Sequence, residues 1–421
     1  MELLDEILAK ENLNNAYKKV YQNKGASGID GIKVEELKEY LKEHKEEIIT
    51  KIRNRKYKPQ PVKRVQIPKE NGKERKLGIP TVVDRVIQQA IVQVLTPIYE
   101  EQFSDSSYGF RPNRSCEMAV IKALEILNDG SEWIVDLDLE KFFDTVNQDK
   151  LITIVRRTVK DGDLVSLIRK FLSSGVMENG IVTATKEGMP QGGNLSPLLS
   201  NIMLNELDKE LEARGLSFVR YADDTMIFVK SEKAANRVLA TITTLIERKL
   251  GLKVNAEKSK VTRPTKTKFL GFSFWATKGG IWKPKPHLKS YQKLIRKLKQ
   301  LTKRSWSISL DKRIEQINYL VKGWVNYFRI ANMKNRIEKI DEHLRTRIRV
   351  VIWKQWKRPS RKGKALVQLG VKADIAYNLA NTRKGYQLIC KTDWIKFAIN
   401  NERLRKRGLV FALDQYKKVH I

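Results

Sequence analysis

The stretch "FVRYADDTMIFV", residues 218–229, confines two adjacent aspartates between two apolar runs. Apolar runs broken by so short a polar step read as two β-strands joined by a tight turn, a hairpin with Asp223 and Asp224 at its tip. Neighbouring like charges repel. The chain carries a formal net charge of +34, so cations are plentiful and two acids at one tip run against the composition. Whatever stabilises them must come from elsewhere in the chain or from a bound cation.

At 421 residues, with 41% hydrophobic content, the chain is expected to fold into two or three globular domains. Its first residues, MELLDEILAKENLNNAYKKV, read as an amphipathic helix and lack the basic-then-apolar order of a signal peptide. No run approaches the ~18 apolar residues of a membrane span. Cys116 and Cys390 are too distant to form a metal cluster and suit a reducing cytoplasm. His44, His287, His343 and His420 show no metal-ligand spacing.

Charge is unevenly distributed. From Pro286 onward there are 34 Lys and Arg against 9 Asp and Glu, a net +25, which leaves +9 for the first 285 residues. The basic segment is interleaved with Trp306, Trp324, Trp353, Trp356 and Trp394. Such density argues for a phosphate backbone as partner rather than a membrane surface.

Periodicity predicts helices up to about residue 60, then a hairpin of VKRVQIP and RKLGIP around the turn KENGKE. Helical spacing returns in VVDRVIQQAIVQVLTPIYEEQF and SCEMAVIKALEILNDG, followed by the strand WIVDLDL and helices over roughly 148–174. A loop at 186–196, the helix PLLSNIMLNELDKELEARG, the acidic hairpin and the helix AANRVLATITTLIERKLGL come next. Short strands are expected around KVNAEKSKV and KFLGFSFWA, and KPKPH at 283–287 reads as a linker to a helical remainder. The mixture is that of an α+β fold.

In WIVDLDLEKFFD, alternation places Val135, Leu137 and Leu139 on one face and Ile134, Asp136 and Asp138 on the other. If this strand adjoins the hairpin, three carboxylates converge. Hard oxygen donors of that kind select Mg²⁺, and a pair of such ions ~4 Å apart serves in-line phosphoryl transfer.

Taken together, DLDLEKFFD, GMPQGGNLSP and YADD resemble the palm of reverse transcriptases. IPKENGKERKLGIPTVVDRVIQQAI, YGFRPNRS, FLGFSF, GWVNYFR and IWKQWKR narrow the likeness to proteins encoded by bacterial group II introns, over essentially the whole chain. The resemblance implies a right-hand polymerase: a helical N-terminal extension over 1–62, fingers and palm over 63–285, and an all-α basic thumb with maturase character over 286–421. It implies RNA-directed DNA polymerase activity, with Asp138, Asp223 and Asp224 holding two Mg²⁺ ions. Lys69, Arg75, Phe143 and Gln191 are expected to bind the dNTP, Phe143 by excluding a 2′-hydroxyl. Lys258 is expected to protonate the leaving pyrophosphate, and Arg111, Gly192, Arg345 and Arg349 to contact template and primer.

The implied partners are an RNA template with a DNA or RNA primer, dNTPs, group II intron RNA and target DNA, in a bacterial cytoplasm. The chain stops at Ile421 soon after the helical region, which resembles the short class without an endonuclease. Two other readings are a splicing factor with a relict polymerase site and a retron or diversity-generating enzyme. The intact acids, Gln191, Lys69 and Arg75 count against the first, and NKGASGIDG with the large basic tail against the second.

Overall fold

The computed structural model describes residues 2–68, 72 and 74–420, and the chain divides into two compact units, Met1–Pro264 and Thr265–Ile421. The first opens with helices α1 (Leu3–Leu8), α2 (Lys10–Asn23) and α3 (Leu37–Arg53), followed after two strands by α4 (Val82–Glu100). Leu4, Ile7, Ala16, Val20, Leu37 and Ile52 share one core with Val83, Val86 and Ile87 of α4. The N-terminal helices are therefore packed into this unit and do not stand apart as a separate core.

Helices α5 (Cys116–Asn128), α6 (Phe142–Thr145), α7 (Gln148–Thr158), α8 (Gly162–Leu172), α9 (Ser196–Ala213) and α10 (Glu232–Leu245) complete the helical part. Their starts are encoded locally. Ser115, Asn147, Asp161 and Ser231 each accept a first-turn backbone N–H, and Pro197 stands in the first turn of α9.

The strands of this unit are β1 (Val62–Pro68), β2 (Glu74–Ile79), β3 (Trp133–Leu137), β4 (Val176–Glu178), β5 (Ile181–Thr183), β6 (Ser217–Tyr221), β7 (Asp224–Val229) and β8 (Lys260–Thr262). The expected hairpin β1–β2 forms, and the unforeseen β4–β5 extends it in the order β2-β1-β4-β5, with β1 and β4 parallel. The second sheet runs β6-β7-β3-β8, antiparallel throughout. Helix α10 packs on β3, β7 and β8, and Ile134, Val135 and Leu137 are all buried. Val135 and Leu137 share the core with Val238 and Ile242 of α10, while on the acids' face Ile134 is buried and Asp136 and Asp138 are partly exposed.

The second unit begins with a hairpin of β9 (Phe272–Ala276) and β10 (Trp282–Pro286). This corrects the expected linker at 283–287: Lys283 and Lys285 alternate with Pro284 and Pro286 along a paired strand. Proline is tolerated there because a two-stranded ribbon has only edges, where a missing N–H leaves no partner unsatisfied. The chain's division accordingly falls at Pro264 rather than at 285. Helices α11 (Leu288–Leu301), α12 (Leu310–Tyr327) and α13 (Lys334–Gln355) follow, with shorter helices between Pro359 and Val419. Arg313 donates to the carbonyls of Leu301 and Lys303, and Arg347 to those of Lys299 and Thr302. Two cations thus close the C-terminus of α11, where the helix dipole favours them.

Candidate active site

The register of the antiparallel sheet positions the acids. Leu137 of β3 pairs with Thr225 of β7, so the next residues, Asp138 and Asp224, oppose each other where the strands end. Directly opposed residues in such pairs have Cα atoms ~4.5–5.5 Å apart. Asp223 is the second residue of the two-residue turn that joins Tyr221 to Asp224. The hairpin and the strand therefore meet at their acidic ends.

Asp138 is anchored by backbone bonds: its N–H donates to Ser259 Oγ at 3.0 Å, and its carbonyl accepts from Asn255 N at 2.8 Å. Asn255 then folds the chain back, its side-chain oxygen accepting from Glu257 N and Lys258 N, the signature of an Asx turn. The result brings Lys258 Nζ to 2.9 and 3.1 Å from the two Asp138 carboxylate oxygens. Asp136, one step inside the strand, is pushed up to about 6 by burial, with Lys260 at 3.9 Å opposing that shift.

Among the described residues no three His, Cys, Asp or Glu side chains close around a common point. The donor set nevertheless fits a divalent ion: three carboxylates are hard oxygen ligands, and the strand register brings two of them face to face. The Lys258 ammonium supplies positive charge to Asp138.

The acidic turn is held rigidly. Ala222 sits at φ 56°, a conformation that costs a residue with a Cβ ~1–2 kcal/mol and persists only where its surroundings enforce it. Arg220 enforces it from within. It is fully buried, donates to the Ala222 carbonyl at 2.9 Å and to Asn201 Oδ1 at 3.0 Å, and pairs with the equally buried Asp208. Gly109 of YGFRP presses on the turn from outside: a Cβ there would lie 2.2 Å from Ala222 N. Asn201 Nδ2 donates to the Gly109 carbonyl at 2.8 Å. The sequence reading missed Arg220, Asp208 and Asn201; the only trace was polar residues among buried apolar ones, Asn201 and Asp208 on α9 and Arg220 on β6.

The residues expected at the nucleotide also assemble. Arg75 Nε donates to Gln191 Oε1 at 3.2 Å, and Gly78 N to the Gln191 carbonyl at 2.6 Å. Gly192, at φ 118°, lies so close to β2 that a Cβ would stand 2.4 Å from the Gly78 oxygen. Gln88 and Gln89 on α4 hold the same loop, accepting from Leu195 N and Asn194 Nδ2. The loop meets α6 where Met189 N donates to the Phe143 carbonyl at 2.7 Å. Phe142 is buried in the core, and Phe143 stands edge-on to it at 5.2 Å, half-buried. Lys69 and the KENGKE turn fall outside the fully described residues.

Two expected template contacts turn inwards. Arg111 is buried, pairing with Glu100 through both carboxylate oxygens and donating to the carbonyls of Ser104 and Ser107. Its donors are used in fixing the loop, and its neighbour Phe110 is the exposed side chain. Arg349 is buried too, donating to the Ile399 carbonyl at 2.9 Å. Arg345 remains half-buried beside the Phe411 ring. Four-residue spacing puts Arg345 and Arg349 on one face of α13, and at Arg349 that face is interior.

An antiparallel sheet with acids on opposed strand ends, linked to a cationic hairpin through a glycine-rich loop, is the layout of a palm-type nucleotidyl-transferring polymerase. Residues 67–274 match the family described as reverse transcriptase (RNA-dependent DNA polymerase), and residues 291–369 match the group II intron, maturase-specific domain. The chain belongs to the reverse transcriptases that carry a group II intron maturase domain. It is 35% identical to Protein YkfC of Escherichia coli over 62% of this chain and 78% of that protein. It is 33% identical to the group II intron-encoded protein LtrA of Lactococcus lactis, over 64% of this chain and 55% of LtrA. The putative COX1/OXI3 intron 2 protein of Saccharomyces cerevisiae shares 29% identity over 64% of this chain and 37% of its own. The chain thus spans most of the first relative and about half of the second. The family is that of RNA-directed DNA polymerases, which implies dependence on a divalent metal and nucleic acid as partner. Among the described residues no helix is long and apolar enough to cross a membrane.

Proposed function

We propose that this chain extends a primer 3′-hydroxyl with dNTPs on an RNA template, and that it binds its own group II intron RNA to assist splicing and insertion into target DNA. The observation that carries the reading is the β3–β7 register, which opposes Asp138 to Asp224 with Asp223 at the adjoining turn. These three carboxylates would hold two Mg²⁺ ions, which supply a lowered pKa at the attacking hydroxyl and charge neutralisation on the triphosphate. Arg75 would grip the triphosphate, since a guanidinium matches phosphate oxygens in pairs. Lys69 would join it from the other side of the fingers turn. Gln191 and Gly192 would line the nucleotide and template base, and Phe143 would lie under the sugar. Lys258 would protonate the leaving pyrophosphate; its ammonium on Asp138 supports a place at the reacting centre. Arg345 would contact the primer–template duplex.

The test is primer extension on an RNA template with Mg²⁺. Asp223→Asn is expected to abolish extension and leave RNA affinity nearly unchanged. A parallel loss of RNA binding would make Asp223 a structural residue and remove the proposed metal role.

A further inference from the structure

We propose that the cavity beside the β9–β10 hairpin is a pocket for one unpaired nucleotide of an RNA chain. The proposal rests on the reading that RNA is the partner and adds where, and in what form, the second unit grips it. The cavity measures about 450 Å³, within the ~300–1,000 Å³ range of sites that enclose small ligands. Trp275 and Lys285 of the hairpin, His287 and Tyr291 at the start of α11, and Asn335 and Arg336 at the start of α13 line it. No acidic side chain is among the residues that line it, although acids make up 48 residues of the chain.

That lining matches the three parts of a nucleotide. Trp275 offers an aromatic surface on which any base can stack. The exposed Asn335 brings an amide that can pair with a base edge. Lys285 and Arg336 offer cations to phosphate. In the hairpin register Ser273 opposes Lys285 and Trp275 opposes Lys283, so the indole and both ammoniums share one face of the ribbon. The Arg336 guanidinium lies 4.9 Å over the Tyr291 ring, which orients its plane. Neither α11 nor α13 has an acid in its first turn, so nothing there offsets the positive ends of the two helices.

A groove between α11 and α13 continues from the shared residues Leu288, Tyr291 and Arg336 past Lys299, Lys339 and His343. It gives the phosphates next to the bound nucleotide a cationic path. A duplex keeps its bases stacked and cannot enter such a cavity, whereas an unpaired base can leave its stack. The ligand class is therefore a single-stranded or bulged ribonucleotide within a longer RNA.

The test compares the full chain with Arg336→Ala and Trp275→Leu, using anisotropy of a short labelled single-stranded oligoribonucleotide and of a blunt RNA duplex. Each variant is expected to weaken the single strand about tenfold, as loss of one stacked or ion-paired nucleotide does, and the duplex far less. Because Arg336 is exposed, its variant keeps the test valid if Trp275→Leu fails to fold. Equal weakening of both RNAs, or of neither, would overturn the pocket. A nucleoside monophosphate is expected to compete better than inorganic phosphate; equal competition would reduce the cavity to an anion site and also overturn it. If the unmodified chain binds the duplex but not the single strand, only the pocket falls. If it binds neither, the reading of RNA as partner falls instead.

Discussion

At the residue scale, the most consequential side chain was absent from the sequence reading. Arg220 and Asp208 are an ion pair with both side chains fully buried, and the arginine also fixes the strained Ala222 beneath the acids. Such a pair contributes little against an apolar substitute, but breaking it strands a charge in the interior at a cost of ~3–5 kcal/mol. Asp208→Ala is therefore expected to lower unfolding free energy by about that amount. Denaturant titration checks it, and a change below ~1 kcal/mol, the scale of an exposed pair, would show the pair is not isolated from water. Phe143 carries a different prediction, because its neighbour Phe142 already serves the core. Phe143→Ala is expected to raise ribonucleotide incorporation with modest loss of stability, measured by extension with matched rNTP and dNTP pools. Unchanged sugar discrimination would take the ring out of that role.

At the element scale, helix α4 ties the N-terminal helices to the nucleotide loop through its buried first turns. Asp84 accepts from Tyr57 OH at 2.7 Å, Thr81 Oγ1 at 2.8 Å and Gln60 N at 3.1 Å. Burial raises its carboxyl from 3.8 to about 6. Between those values the folded chain holds a proton that the unfolded chain has released, so this group's contribution to stability falls as pH rises from 3.8 to about 6 and is flat above. At ~1.4 kcal/mol per unit the span is worth ~3 kcal/mol. Thermal melts of Asp84→Asn should lack that decline relative to the unmodified chain; identical pH profiles would sink the assignment. The β1–β2, β3 and β6–β7 elements were legible because alternation and turn residues are local signals. Strands β4 and β5 were missed although Asn179 and Gly180 form a two-residue turn that pairs them; Ile181 and Val182 are both exposed, so no apolar alternation marks the second strand.

At the scale of the whole molecule, the excess of positive charge divides into two uses. Arg313, Arg347 and Arg349 bond to carbonyls of the second unit, so part of the basic character stabilises helix ends and loops. Most of the remainder, a large surplus over 9 acids beyond Pro286, is exposed and should release counterions on binding RNA. The logarithm of affinity is expected to fall linearly with the logarithm of salt, by about 0.7–0.9 per phosphate neutralised, a loss of ~10³-fold or more between ~50 and ~200 mM. Affinity that stays flat over that range would rule out a phosphate-dominated interface.

The sequence by itself determined which strands end in acids, where the fingers hairpin turns and which segment is basic, because each is written in neighbouring residues. Only the tertiary structure decided that β3 lies against β7 in the register that opposes Asp138 to Asp224. It also decided that Arg111 and Arg349 point inwards and that KPKP, residues 283–286, lies in a strand. A guanidinium's direction depends on which carbonyls and carboxylates the rest of the chain brings to it, and a proline's tolerance depends on whether its strand has a neighbour on that side. Neither is a property of the residues adjacent in sequence.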